Sequence, residues 1–337
     1  MDLVKNRRAK KAEVIESTHR DFQNSSEKLR LNTRMRTNRA EYQCYLCGRQ
    51  RTKPAFEKLG WTILRCGNCG LFRLQFKGSY QNFIRNYYDK GFFTGSTKRA
   101  GYFSYEGDRK AEDKNMHEYL QGIRRFKTKG KLLDIGCATG LFMLKAQEAG
   151  FDVSGVDVSE YAISIAKKRF GSKVKHSSIE QVRYQIANFD VVTLFDVIEH
   201  MENPKRVLRK LNGLLKNDGI LVVNTGDSDS LLVRMQGKDW HFFIPPQHFF
   251  YFSIKTLTTL LHQAGFRVLA IDRKGKWVTL RYLFHLARQI QQDALAKFGF
   301  KLIGGIAPGK IPIYINLFDN ITVYAVKKNN RTQKRSA

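Results

Sequence analysis

Four cysteines stand as Cys44-x2-Cys47 and Cys66-x2-Cys69, with eighteen residues between the pairs. Two thiolate knuckles at that spacing complete the tetrahedron of a closed structural zinc site. Gly48 and Gly70 follow the pairs, where a knuckle turn favours positive φ. With cysteine at every position the site keeps no open coordination, so its expected role is structural. Two disulfides are the alternative, and they suit an exported chain. The opening stretch "MDLVKNRRAKKAEVIES" has charges but no apolar segment behind them, so a secretory signal is not expected and the cytoplasm is the default.

A second constellation begins at "LLDIGCATG", residues 132–140. Gly136 and Gly140 let the backbone turn sharply and approach a ligand after a strand. Asp157 ends the next strand about twenty residues on, where an acid takes both hydroxyls of a ribose. A nicotinamide nucleotide would satisfy these features, but the turn lacks the middle glycine that seats a pyrophosphate. Asp134 is a poor neighbour for a pyrophosphate and a good one for an ammonium or sulfonium group. Cys137 reads as a small residue filling the turn. Two histidines complete the set: His200 in "DVIEH" and His248 in "DWHFFIPPQHFFYFS", each able to take a proton near neutral pH. His241 is a weaker third.

These residues need strands and helices to hold them. From about Lys131 the chain alternates: strand "KLLDIG", helix "LFMLKAQEAG", strand "FDVSGVDVS", helix "EYAISIAKKRF". Then come strand "FDVVTLFDV" and a helix "PKRVLRKLNGLLKNDG", with Pro204 at its start and Gly219 after its end. Strand "ILVVNTG", helix "SIKTLTTLLHQAG" and strands "FRVLAID" and "ITVYAVKK" finish the series. Such alternation predicts an α/β fold with a doubly wound, Rossmann-like parallel sheet that binds ligands at the carboxyl ends of its strands. The predicted layout is a basic arm (1–40), a zinc ribbon (41–78) and an aromatic-rich connector (79–129). The alternating domain (130–328) and a basic tail (329–337) complete it. In the connector, Tyr87, Tyr88, Phe92 and Phe93 are expected to pack on the next domain, over its pocket. A helical insertion at about 276–300 has apolar residues at helical spacing, including Leu280, Leu283, Phe284 and Ile290. It reads as a lid or as a surface touching a membrane or lipid-linked acceptor.

A nucleoside with a cationic amino-acid tail is S-adenosylmethionine, and at this point the sequence resembles the class I SAM-dependent methyltransferases. "LLDIGCATG", "GVDVS", "FDVVTLFDVIEH" and "LLKNDGILVVNTG" fall in that family's order and spacing over about 130–328. The resemblance implies that Gly136 and Gly140 line the methionine and ribose, with Asp134 near the amino group. It also implies that Asp157 takes the ribose hydroxyls, Val158 and then Ser178 and Ile179 border the adenine, and Phe195 lies under the methyl donor. "CYLCG", "WTILRCGNCGL", "YYDKGFF" and "WHFFIPPQHFFYFS" resemble, more narrowly, bacterial zinc-ribbon methyltransferases of surface-glycan and modified-sugar pathways. The basic arm, the high charge and the insertion depart from that group. The loop around His248 then caps the acceptor, stiffened by Pro245 and Pro246. Trp240, Phe242, Gln247, Phe249 and Tyr251 would contact a sugar or base, and His200 and His248 would be the candidate bases. In similar quinone O-methyltransferases an acid-and-histidine cluster is linked to a metal, which here would draw on Asp196, Glu199 and His200.

Composition narrows the partners. At 337 residues and 42% apolar content the chain builds a real core, and no apolar run nears the ~18–20 residues of a membrane span. The net charge of +29 is uneven: +16 over residues 1–130, +2 over 131–226 and +11 over 227–337. A positive field of this kind draws phosphate-bearing partners, whether nucleic acid, sugar nucleotides or an anionic membrane surface. The leading expectation is methyl transfer to an oxygen or carbon nucleophile of a small molecule or glycan precursor. An RNA methyltransferase that grips RNA with the ribbon and arm is the alternative. "LFDVIEH" lacks the Asn/Asp-Pro-Pro-aromatic motif of exocyclic-amine methylation, and no Pro-Cys pair supplies a nucleophile for pyrimidine C5 chemistry. A non-enzymatic scaffold would not need Asp134, Gly136, Gly140 and Asp157 together. The oligomeric state is not legible from these residues.

Overall fold

The apolar runs at Leu132–Leu133, Val191–Val192 and Leu221–Val223 are fully buried, which places their strands in the middle of a covered sheet. The structure, a computed structural model, describes residues 43–94, 109–279 and 311–328. It opens with β1 (Thr52–Lys58), β2 (Trp61–Cys66) and β3 (Phe72–Leu74). Helices α1 (Tyr80–Tyr87), α2 (Lys90–Thr94) and α3 (Arg109–Arg124) follow. Thus the connector read as aromatic and turn-rich is mostly helical among its described residues, with bends at 88–89 and a turn after Arg124. Ser79 starts α1 by accepting from the Asn82 N–H.

The alternating region forms β4 (Gly130–Ile135), α4 (Leu141–Glu148), β5 (Phe151–Asp157), α5 (Glu160–Phe170), β6 (Val174–His176) and β7 (Phe189–Phe195). Next are α6 (Pro204–Leu214), β8 (Leu215–Gly226), α7 (Leu231–Gln236), β9 (Phe250–Tyr251), α8 (Ile254–Gln263) and β10 (Phe266–Asp272). A hairpin of β11 (Lys276–Thr279) and β12 (Pro312–Ile315) precedes β13 (Asn320–Lys327). Residues 276–279 of the insertion read as helical form strand β11 instead, because they pair with β12. The rest of the insertion and both charged termini lie outside the described residues. Among the described residues no helix is long and apolar enough to cross a membrane.

The seven-stranded sheet has the order β10-β13-β8-β7-β4-β5-β6. Pairings from β8 through β6 are parallel, but β13 runs antiparallel to both β8 and β10. The doubly wound, Rossmann-like sheet is as expected, with β13 as its antiparallel member. That strand follows the β11–β12 hairpin. Helix α6 stops at Leu214, short of the predicted Gly219. Leu215 is fully buried and takes an extended backbone, pairing with Phe189 ahead of a register shift.

The order β1-β2-β3-β9 forms a second sheet. Its fourth strand comes from the loop after β8, about 180 residues beyond β3, with Phe72 opposite Tyr251 and Arg73 opposite Phe250. The Leu74 N–H donates to the Phe249 carbonyl at 2.8 Å, and the Phe249 N–H donates to the Glu199 carbonyl at 2.8 Å. The ribbon therefore shares hydrogen bonds and a core with the large sheet, and Ile63, Leu74, Tyr251 and Leu194 belong to one apolar cluster.

Candidate active site

In the ribbon the Cys44 and Cys69 sulfurs lie 3.5 Å apart and those of Cys47 and Cys66 3.7 Å apart, with all four within 4.8 Å of one another. A tetrahedron with metal–sulfur bonds of about 2.3 Å needs sulfur separations near 3.8 Å, so the donor set fits a four-thiolate centre. The shortest approaches join one knuckle to the other at distances far from a disulfide, and all five cysteines are free. Gly48 and Gly70 sit at φ 70° and 82° and donate back to the Cys44 and Cys66 carbonyls at 2.9 Å. Because β3 carries β9, the ribbon also braces the loop that holds His248. Replacing Cys47 and Cys69 by serine is expected to cut turnover tenfold or more, in the ~10–100-fold range of lost structural support at metal sites. SAM affinity should stay within about threefold. Full turnover in the double variant, measured with labelled SAM, would show that the brace is dispensable.

A cavity of about 690 Å³ opens at the carboxyl ends of β4, β5 and β7. That is ample for a nucleoside cofactor with a small acceptor. On one side lie Gly136, Asp157, Val158, Ser178 and Ile179, and Phe195 lies at the end of β7. Gly136 has φ 72°, and a Cβ there would collide with Val197. The Asp157 carboxylate accepts from the Ala138 N–H at 2.9 Å with one oxygen and from the Ser159 N–H at 2.8 Å with the other. Burial raises its pKa, against the pull of those two bonds. This acid thus ties the glycine-rich turn to the end of β5.

Two sequence expectations are not met here. Asp134 does not line the cavity. Its carboxyl is buried under the turn, accepts from the Thr193 hydroxyl at 2.6 Å, and is pushed up to about 7 by burial. Gly140 lies behind the cavity wall too, as the left-handed start of α4 (φ 84°), where Phe170 fills the space of a Cβ.

At the far end His200 and His248 meet edge to face, ring centroids 4.7 Å apart. Each Nδ1 lies 2.8 Å from a carbonyl, Gln247 for His200 and Phe242 for His248. A carbonyl only accepts, so each Nδ1 carries the proton and each Nε2 keeps its lone pair. Burial lowers the pKa of both rings, and His200 lowers His248 further. Glu199 is fully buried beside them, and neither its carboxylate oxygens nor the neighbouring Thr225 hydroxyl makes a well-formed hydrogen bond. Burial, then Asp196, pushes Glu199 up to about 8. Donor atoms of Glu199, His200 and His248 fall within 4.8 Å of one another and could hold a metal. Asp196 is not in that set, since its carboxylate pairs with Lys276 at 2.7 Å. His241 reaches the cavity with Nε2 3.7 Å from Asp319.

Of the loop's aromatic residues, Phe242 lines the cavity and so does Gln247, which accepts from the Tyr87 hydroxyl at 3.4 Å. Trp240 and Tyr251 do not. Both are fully buried in the core shared with the ribbon, and Trp240 donates from Nε1 to Asp319 at 2.8 Å. Phe249 likewise packs edge to face with Phe76, Tyr80 and Phe83 inside the protein. Their spacing in sequence resembles that of a binding face, but β9 pairs with β3 and turns them inward.

The connector packs over the pocket as expected. Tyr88 places its hydroxyl 3.1 Å from His200 Nδ1, and its carbonyl accepts from the Ser159 hydroxyl at 2.9 Å. Phe92 and Phe93 line the cavity as well. Sequence reading missed Tyr119 on α3, stacked on Phe195 at 4.3 Å, and Asn115, which clasps the backbone of Trp277. No motif marks either residue; only the packing of α3 over the sheet's carboxyl end brings them in.

Sheet order, an acid at the end of β5 and a cavity at the strand ends are the features of a doubly wound α/β fold with its ligand site at the strand ends. Residues 108–271 match the family model described as a methyltransferase domain. An uncharacterized protein of Methanocaldococcus jannaschii is 31% identical over 150 residues, which are 44% of this chain and 70% of that protein. A ubiquinone biosynthesis O-methyltransferase of Coxiella burnetii is 28% identical over 182 residues, 50% of this chain and 77% of that enzyme. Among solved structures, a SAM-dependent methyltransferase from Archaeoglobus fulgidus aligns at a TM-score of 0.47 and 21% identity, over 66% of this chain and 97% of that one. The chain belongs to the class I SAM-dependent methyltransferases.

Proposed function

We propose that this enzyme methylates an oxygen or carbon nucleophile of a small acceptor, a phosphate-bearing sugar nucleotide or glycan precursor. In this reading Gly136, Asp157, Val158, Ser178, Ile179 and Phe195 hold the cofactor, and zinc closes the four-cysteine ribbon. The observation that carries the proposal is the pair of histidines lining the cavity, each with Nδ1 held 2.8 Å from a backbone carbonyl and with its pKa lowered by burial. Bound SAM supplies a methyl group on sulfonium sulfur, open to in-line displacement. His248 takes the acceptor's proton at Nε2 while its Nδ1–H stays on the Phe242 carbonyl, and His200 fixes the approach. The cavity's positioning of the acceptor contributes up to ~7–11 kcal/mol of the barrier lowering. A relative named for O-methylation in ubiquinone biosynthesis supports an oxygen nucleophile on a small molecule.

The test is transfer of labelled methyl from SAM into cell extract fractionated by size, before and after ribonuclease. Label in small, phosphate-bearing fractions that ignores ribonuclease supports the proposal, and ribonuclease-sensitive label in large material overturns it. The unbonded carboxylate of Glu199 favours a second reading, in which Glu199, His200 and His248 hold a divalent cation that acidifies an acceptor hydroxyl. That reading predicts two metal equivalents per chain by elemental analysis, and one in Glu199→Gln. A single equivalent in both proteins removes it.

A further inference from the structure

A second concavity, of about 920 Å³, lies away from the methyl-transfer cavity and shares no residue with it. Its floor is the outer end of the ribbon, and its far wall comes from α8 and from the turn after β8. Arg51, Lys53, Arg65 and Lys255 line it, and all four are exposed. Its one carboxylate, Asp229, faces Arg234 at 3.3 Å. Among the described residues none of the four cations has an ion pair.

Two placements here are electrostatically unfavourable without an anion. Lys53 stands directly opposite Arg65 on antiparallel β1 and β2, so two like charges share one face. Lys255 lies in the first turn of α8, a ten-residue helix with no acid in that turn, where the backbone dipole is already positive. These two features come from segments almost two hundred residues apart, and the fold brings both to one groove. Arg65 lies over the Phe72 ring, its Cζ 5.0 Å from the ring centroid. A ligand that returns negative charge to this groove relieves both repulsions.

We infer that this groove binds the phosphate backbone of single-stranded RNA. The groove is open along its length, and its cations are spread over β1, β2 and α8, so they meet successive phosphates better than one compact anion. The net charge of +29 supplies long-range attraction, but the groove gives it a place. This inference does not depend on which acceptor takes the methyl group.

The test uses the full-length, metal-loaded protein and a fluorescent single-stranded RNA of ~12 nucleotides, within the usual footprint of such grooves. Affinity is read by anisotropy as a function of salt. The Lys53→Glu, Lys255→Glu double variant is expected to bind at least ~tenfold more weakly at 0.1 M salt. The slope of log K against log salt should fall by about 1.4, the change for two lost phosphate contacts. SAM affinity and metal content of the variant serve as fold controls, and the milder Lys53→Gln, Lys255→Gln pair replaces it if either control fails. Wild-type affinity and slope in the variant that passes its controls overturn the inference. So does saturable binding of inorganic pyrophosphate at this groove with no binding of RNA.

Discussion

Asp157→Asn is expected to weaken SAM binding about a hundredfold or more while leaving the protein folded. A carboxylate offers about four lone-pair sites. Two are already taken by the Ala138 and Ser159 N–H groups, and the remaining two face the cavity where a ribose diol would lie. Hydrogen bonds to a charged group are worth about 1.5–3 kcal/mol each, and each 1.4 kcal/mol is tenfold in affinity. Losing the charge on a buried carboxylate that serves two hydroxyls therefore reaches a factor of ~10²–10⁴. Asparagine keeps one acceptor oxygen and so retains one of the two backbone bonds, which leaves the turn tied at one point. Asp157→Ala strands two N–H donors in a buried turn, at about 1–3 kcal/mol apiece, and should lower the melting temperature too. Calorimetry on both variants separates these effects. Wild-type SAM affinity in Asp157→Asn would refute the cofactor assignment.

His248→Ala should lower turnover by ~10²–10⁴, the contribution of a positioned general base, with SAM affinity unchanged. His200→Ala should act on the same step, and the double variant should cost little more than the worse single one, because the rings act as a unit. The pH profile carries a sign. A base works in its neutral form, and burial lowers both imidazoles below the ordinary value of 6.5. The acid limb of kcat/KM therefore lies below pH 6.5. The same shifts bear on stability: neutral rings in the folded protein and charged rings in the unfolded chain make stability fall as pH drops below 6.5, through the folded values. An acid limb at or above 6.5, or normal turnover in His248→Ala with an identified acceptor, would remove the histidine pair from the chemistry.

Periodicity alone was enough for the alternating core. Near-continuous apolar runs at 132–133, 191–192 and 220–223 offer almost no polar face to water, so they become buried strands. Capping and turn residues were equally local: Ser159 caps α5, Pro204 opens α6, and Gly136 and Gly140 adopt the left-handed backbone that few other residues tolerate. Cysteine spacing was legible because one metal tetrahedron needs two short knuckles, and the four sulfurs do converge. These features depend on residues within a few turns of one another.

What only the tertiary structure decided depends on contacts between distant segments. Trp240 and Tyr251 have the composition of a sugar platform, yet the pairing of β9 with β3 buries them. Asp134 reads as a ligand to a cation, but burial and Thr193 withdraw it beneath the turn. His248 joins Glu199 and His200 across almost fifty residues, while Asp196, nearer in sequence, turns to Lys276. The local sequence determined strands, helices, turns and the four-thiolate knuckles, because their energies are set within a few residues. The membership of the candidate site followed from which long-range strand pairings and buried charges the whole chain satisfies at once.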